Sequence, residues 1–404
     1  MSITKQARVL MILMAGIAMF SITRTMTSNA EMTSAITVSQ ALGFAVPIGL
    51  AGLAGIWSER AGVVNIGLEG MMILGTFGAG WAGWQYGAWA GLLAGIVLGG
   101  LGGLLLAVAC ISFGVDQIIA GTAVNLLATG LTKFLAILWF TDAPGGGQAQ
   151  SPPIKGEIPS FTINAIADPL STIHDKNIFF VSDAAGILAG LFYRLSILTI
   201  ITFLLFVFTG WALWKTSFGL RLRSAGENPW AADSLGVKVN RYKYTAVIFS
   251  GVLAGLGGAY LTIASTIYRN GQTAGRGFIG LATMIFGNWR PGGTGAGAIM
   301  FGYIDTLRLI DTGNVNVRGL ILLGALVLLA IAVLMLRGAR RNAGIGFAIL
   351  GAVFIGAYMK ASNFPPEVAQ VAPYITTLLV LATASQNLRP PSADGVPFRK
   401  GEGH

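Results

Sequence analysis

Two histidines and a single cysteine are all this chain offers of the side chains that most often bind metals or form covalent links. Cys110 lies inside an apolar run, so there is no disulfide framework and no thiolate metal site. His174 falls in a loop and His404 closes the sequence, and neither is placed as a ligand or catalytic base. Charge is scarce as well: Asp, Glu, Lys and Arg make up 10% of residues, against about 25% in ordinary globular domains. So few charges cannot cover the surface of a soluble fold of 404 residues. There is no Walker motif, so the chain does not hydrolyse ATP itself. Residues 275–280 fit GxGxxG, but no βαβ unit surrounds them, and a dinucleotide site is excluded. Without an embedded histidine, a Ser/His pair or a carboxylate cluster, intramembrane acid–base catalysis is not expected either.

What the chain has in abundance is apolar sequence, 54% of residues. Runs long enough to cross a bilayer, about 20 residues or somewhat fewer, recur throughout. Spans are expected at 8–22, 37–56, 66–85, 88–113, 115–140, 186–213, 244–267, 277–289, 295–309, 319–336, 343–360 and 373–387. The fold class is therefore an all-α polytopic membrane protein with about 10–12 transmembrane helices. Lys5, Arg8, the run 9–20 and the small residues 28–30 resemble a signal peptide, but an uncleaved first span is the better reading.

Two loops fix the orientation. Residues 142–185 carry Asp142, Glu157, Asp168, Asp175 and Asp183 against Lys155 and Lys176. Residues 214–243 carry Lys215, Arg221, Arg223, Lys238, Arg241 and Lys243 against Glu227 and Asp233. The basic loop belongs in the cytoplasm and the acidic one outside. Counting spans from there puts the basic cluster at 337–341 and both termini inside. The net charge of +10 thus reflects membrane topology, and no nucleic acid is expected as a partner.

Gly91, Gly95, Gly99 and Gly103 share one helix face, and Gly251 with Gly255 repeats the spacing. Small residues at this interval let helix backbones approach closely in lipid. Residues 61–71 and 274–284 agree at six of eleven positions and enter the membrane from opposite sides in this topology. That is the pattern of an inverted repeat whose glycine-interrupted helices meet near the midplane at a solute site. Five candidate solute-pathway residues lie in or near it. Asn65 and Glu69 are one helical turn apart, and an ionisable group inside a span reads by default as functional. The structural alternative for Glu69 is a pair with Arg60 or a cap on a broken helix. Asn125 sits midway along an apolar run, free to bond solute or a neighbouring helix. Phe278, the counterpart of Asn65, offers an aromatic face, although plain packing is the commoner role. Asn288 precedes a polar break at 289–293 that is expected to line a cavity.

In the cytoplasmic loop, Asn228 suits a helix N-cap, Pro229 the first helical position and Gly236 the C-terminal cap. Residues 230–235 between them make about two turns, marginal alone and in need of a surface to pack on. Trp230 is available to dock a partner. Residues 225–237, followed by 249–259, resemble the coupling loop and next helix of ribose- and nucleoside-type ABC importer permeases. Further likenesses lie at 58–70, 116–125 and 275–282, so the resemblance spans roughly residues 40–310. It is similar to the simple-sugar permeases that include bacterial purine-nucleoside importers. The resemblance implies a cytoplasmic ABC ATPase that uses the ATP, a second homologous permease subunit, and an extracytoplasmic solute-binding protein. No cofactor is expected on this chain itself, and membrane lipid surrounds it. It also implies that Glu227, Asn228, Pro229, Ala231, Ala232 and Gly236 contact the ATPase. The expected organisation is an N-terminal span and outside loop (1–36), the first repeat (37–141), an extracytoplasmic loop (142–185), the second half with its coupling loop (186–317), and additional spans with a cytoplasmic tail (318–404). The loop 142–185 and the spans after about 318 are longer than expected for the family. An ion-coupled secondary transporter is the rival reading, with Glu69 and Asp116 as its few membrane carboxylates.

Overall fold

A backbone that leaves water must satisfy its own hydrogen bonds, and a chain this apolar does so with helices. The computed structural model describes residues 5–310, 315–337, 341–360, 388–399 and 401. The helices among them are α1 (Lys5–Thr27), α2 (Ala35–Arg60), α3 (Leu68–Tyr86), α4 (Ala88–Ala107), α5 (Gln117–Phe140), α6 (Asn164–Asp175), α7 (Val181–Gly190), α8 (Ile197–Lys215), α9 (Ser217–Glu227), α10 (Pro229–Ser234), α11 (Val239–Ala264), α12 (Arg276–Phe286), α13 (Pro291–Ile310), α14 (Val315–Leu336) and α15 (Arg341–Lys360). A 3-10 turn at Ala30–Thr33, a π-helical turn at Val108–Ser112 and two strands of two residues each, Ser160–Phe161 and Leu195–Ser196, complete the regular structure among the described residues.

Seven described segments are long and apolar enough to cross a membrane: Ala35–Arg60, Ala88–Ser112, Gln117–Phe140, Ile197–Lys215, Val239–Ala264, Arg318–Leu336 and Arg341–Met359. The protein is an all-α polytopic membrane protein. Three differences from the expected spans have physical reasons. The run 186–213 is two helices, α7 and α8, separated by residues 191–196. The expected span at 277–289 is the 11-residue α12, which rises about 16 Å, roughly half the hydrocarbon core. The outside loop 142–185 is not loop throughout, since it contains α6 and the first half of α7. The expected span at 373–387 lies outside the described residues.

The chain forms two compact units. One comprises Met1–Gly43, Ser160–Leu195 and Tyr303–Thr376. Within it α14 packs on α15 and on α1, and α6 packs on α7. Its buried polar centre is Asp183, which pairs with Arg24 Nε at 3.0 Å and accepts from Thr33 Oγ1 at 2.6 Å. His174 lies against the Ser182 carbonyl at 3.0 Å, a core contact.

The other unit comprises Phe44–Pro159, Ser196–Gly302 and Thr377–His404. Its core is the mutual packing of α3, α4 and α11. Glycine makes the close approach possible. A Cβ on Gly99 would lie 2.5 Å from the Gly251 carbonyl oxygen and 2.7 Å from the Gly255 nitrogen. A Cβ on Gly95 would lie 2.7 Å from both the Ala259 Cβ and the Gly75 carbonyl oxygen. Gly95, Gly99 and Gly103 of α4 are thus met by Gly251 and Gly255 of α11, and Gly91 by Gly83 of α3, with backbone against backbone where lipid offers no hydrophobic drive.

Candidate functional site

The two similar segments share a backbone feature. Gly62 and Gly275, which align, both have φ of +78°. Their paths then part. Helix α12 starts at once with Arg276, whereas residues 61–67 stay outside regular helix until α3 begins at Leu68. These two irregular stretches lead into α3 and α12.

Glu69, in the first turn of α3, is 8% exposed and reaches the start of α12. Its Oε1 accepts from the Gly275 N–H at 2.9 Å and its Oε2 from the Gly277 N–H at 2.7 Å. The carboxylate therefore caps a helix N-terminus, where orphan donors and the positive end of the helix dipole favour an anion. Gly277 has to be glycine here, because a Cβ would lie 2.7 Å from Glu69 Cα and from its Oε2. Asn125, on α5, supports the other broken stretch. Its Oδ1 accepts from the Gly70 N–H at 2.7 Å, and its Nδ2 donates to the Ile66 carbonyl at 3.0 Å.

Between these groups lies a cavity of about 330 Å3, near the low end of the range for small-ligand sites. Glu69, Asn125 and Phe278 line it, together with Ile73, Leu126, Thr129, Thr132, Lys133 and residues from the 270–275 loop. Phe278 is 48% exposed and offers a ring face. Asn270 is fixed by the Tyr268 hydroxyl, which donates to its Oδ1 at 2.6 Å. Two further candidates are elsewhere. Asn65 is fully buried, with its Nδ2 donating to Ser250 Oγ on α11 at 2.9 Å. Asn288 does not line the cavity. It has φ of +54°, and its Oδ1 accepts from the Arg389 N–H at 2.8 Å. Sequence reading passed over Thr129, Thr132 and Lys133, although each lies on the same face of α5 as Asn125, four, seven and eight residues on.

The second region is the loop helix. Asn228 caps α10 by accepting from the Ala231 N–H at 3.0 Å, with Pro229 in the first helical position. Gly236 follows the helix with φ of +83°. The helix has two faces. Pro229 and Ala232 are buried, whereas Glu227, Asn228, Ala231 and Gly236 are exposed. Leu235, passed over in the sequence, is 85% exposed and is the apolar knob of the outer face. Trp230 is turned inward against Phe398, with ring centroids 5.9 Å apart.

Beneath this loop lies a charged cluster. Arg60 ends α2, lies 3.8 Å from the Glu227 carboxylate, and donates from Nη2 to the Trp289 carbonyl at 3.2 Å. The Trp289 Nε1 donates to Glu59 at 2.6 Å. The Glu59 and Asp394 carboxyls lie within hydrogen-bond reach of each other. Burial pushes the Asp394 carboxyl up to about 7, and its partners Glu59, Lys243 and Arg60 oppose that rise.

The family described as branched-chain amino acid transport system / permease component matches residues 37–332. The chain belongs to that family. It is similar to the guanosine ABC transporter permease protein NupQ of Bacillus subtilis, 33% identical over 91% of this chain and 97% of the relative. It is also similar to the nucleoside ABC transporter permease protein NupC of Lactococcus lactis, 31% identical over 92% and 99% respectively. The putative glucose ABC transporter permease protein TsgC13 of Haloferax volcanii is 36% identical over 64% of this chain and 73% of its own length. No solved structure matches. Membership makes the chain a transport subunit of an ABC system, in which hydrolysis belongs to a partner ATPase and solute delivery to a binding protein. Matches over 91–92% of the chain extend well past residue 318, so the region expected to exceed the family has counterparts in these relatives.

Proposed function

We propose that this chain is the pore-forming subunit of an inner-membrane importer that moves nucleosides into the cytoplasm by alternating access. The cavity between α3, α5 and α12 carries the reading. Its Phe278 ring suits a base, and stacking of a base on an aromatic side chain is worth about 1–3 kcal/mol. The hydroxyl and amide groups of Thr129, Thr132 and Asn270 suit a ribose or the base edge. Relatives named as guanosine and nucleoside permeases over nearly the whole chain support the same substrate class. A simple sugar is the second reading, favoured by the hydroxyl-rich lining and by the relative named as a putative glucose permease.

In this reading both termini are cytoplasmic, and a second homologous permease subunit completes the pathway as a heterodimer. The outer face of α10, with Glu227, Asn228, Ala231, Leu235 and Gly236, seats in a groove of the ATPase. Pro229 and Ala232 lie on its inner face. The two glycine-broken stretches form the inverted repeat whose helices change cavity exposure.

Uptake of radiolabelled guanosine into vesicles bearing the full importer, with ATP inside, tests the substrate class. Unlabelled nucleosides at tenfold excess are expected to abolish it, whereas ribose and glucose leave it intact. Competition by the sugars alone would overturn the nucleoside assignment.

A further inference from the structure

Residues 388–398 run across the inner face of the coupling region and touch three elements that the chain keeps far apart in sequence. Leu388 packs against the main core, and the Arg389 N–H holds Asn288, in the break between α12 and α13. Ser392 donates to Glu227 Oε2 twice, from its N–H at 3.1 Å and from its Oγ at 3.0 Å. The Ala393 N–H donates to the Gly226 carbonyl at 2.9 Å. Asp394 bonds Glu59 near the end of α2, and a Cβ on Gly62 would lie 3.1 Å from the Ala393 carbonyl oxygen. Phe398 is 8% exposed and meets Trp230 edge-on at 67°, in a cluster with Ala225, Ala232 and Val239.

This placement has a mechanical consequence. A six-residue helix has no stability of its own and takes its position from what it packs on. The buried residues of α10 are Pro229 and Ala232, too small to lock it, and the largest side chain on its inner side is Trp230. That side chain rests on Phe398. The same short segment is bonded to Glu227 just before α10, to the end of α2 just before the first broken stretch, and to the break after α12. A push on α10 therefore meets a single bridging segment that leads to both repeats.

We propose that residues 388–398 are a strap that positions the coupling helix α10 and carries its movement to both broken-helix repeats, with Phe398 and Ser392 as positioning residues. This rests on the reading of α10 as the ATPase contact. The strap touches neither solute nor ATP, so its loss should separate hydrolysis from transport and leave solute affinity unchanged.

The test uses vesicles carrying the complete importer with its binding protein, with solute uptake and ATP hydrolysis measured together. Phe398→Ala is expected to lower solute moved per ATP at least tenfold, with the half-saturating solute concentration and ATPase co-purification unchanged. Phe398→Tyr, which keeps the ring contact, restores the ratio. Ser392→Ala, at an exposed position that folding tolerates, lowers it two- to threefold. Normal coupling in Phe398→Ala overturns the strap. If Phe398→Ala does not accumulate in the membrane, normal coupling in Ser392→Ala overturns it instead. Ala231→Arg on the outer face separates the two readings. If it abolishes uptake while the strap variants couple normally, the strap alone is wrong. If it is silent, the docking role of α10 fails and the strap fails with it.

Discussion

Replacing Glu69 by Gln changes one atom's chemistry at the point where α3 meets the start of α12. The carboxylate accepts two backbone N–H groups of the α12 start, at 2.9 and 2.7 Å. A hydrogen bond to a charged group contributes about 1.5–3 kcal/mol, and an anion at a helix N-terminus adds about 0.3–2 kcal/mol more. Glutamine keeps one accepting oxygen, but turns an NH2 toward the other donor and leaves that buried N–H unpaired. The loss is about 2–4 kcal/mol on these grounds, localised at residues 275–277. Phe278 is the next residue, so the first turn of α12 loosens where it lines the cavity. Glu69→Gln is therefore expected to lower the thermal midpoint of the detergent-solubilised protein by several degrees. It should also raise the half-saturating solute concentration at least tenfold. Stability comes from a fluorescence melt and affinity from vesicle uptake at graded solute. A Glu69→Gln protein that melts as wild type but transports poorly would refute the capping argument and make Glu69 a solute ligand. One that is wild type in both would refute any role at this junction.

Phe278→Ala should weaken solute competition roughly 5- to 150-fold, the equivalent of about 1–3 kcal/mol of lost stacking, while Phe278→Tyr stays within a few-fold. Gly99→Leu should abolish accumulation of the folded protein, because even a Cβ there lies 2.5 Å from the Gly251 carbonyl oxygen; a normal yield on size-exclusion chromatography would contradict the packing of α4 on α11. Asp394 titrates at about 7 in the folded protein, above the ordinary carboxylate value of about 3.9. Its contribution to holding residues 393–396 is thus complete below about pH 4 and is lost as pH rises through about 7. Hydrogen-exchange protection of those residues should fall from pH 5 to pH 8 in wild type and stay level in Asp394→Asn.

Much of this architecture was written in periodicity. The glycines at 91, 95, 99 and 103 announce a close helix contact: α11 meets the last three with Gly251 and Gly255, and Gly91 packs on Gly83 of α3. The caps of α10 were legible because Asn, Pro and Gly each answer a local backbone requirement at 228, 229 and 236. The break within 186–213 was hidden because residues 191–196 are mostly apolar and interrupt no hydropathy window. Site residues read less well, for a reason of distance. Glu69 and Gly275 are far apart in sequence, so nothing local shows that the carboxylate ends on a helix cap. Asn65 and Asn288 look alike as polar residues in apolar surroundings, yet one bonds α11 and the other holds the strap. Trp230 looked like a docking residue, since only the fold reveals Phe398 behind it.

The central claim is that this chain imports solute with energy delivered by ATP through α10. Its most direct test is solute accumulation in vesicles holding the complete complex, with ATP or a non-hydrolysable analogue trapped inside and ionophores collapsing every ion gradient. Accumulation is expected with ATP and not with the analogue, is indifferent to ionophores, and is lost in an Ala231→Arg complex that still inserts. Accumulation that persists without ATP and vanishes with the ionophores would contradict it and mark an ion-coupled secondary transporter.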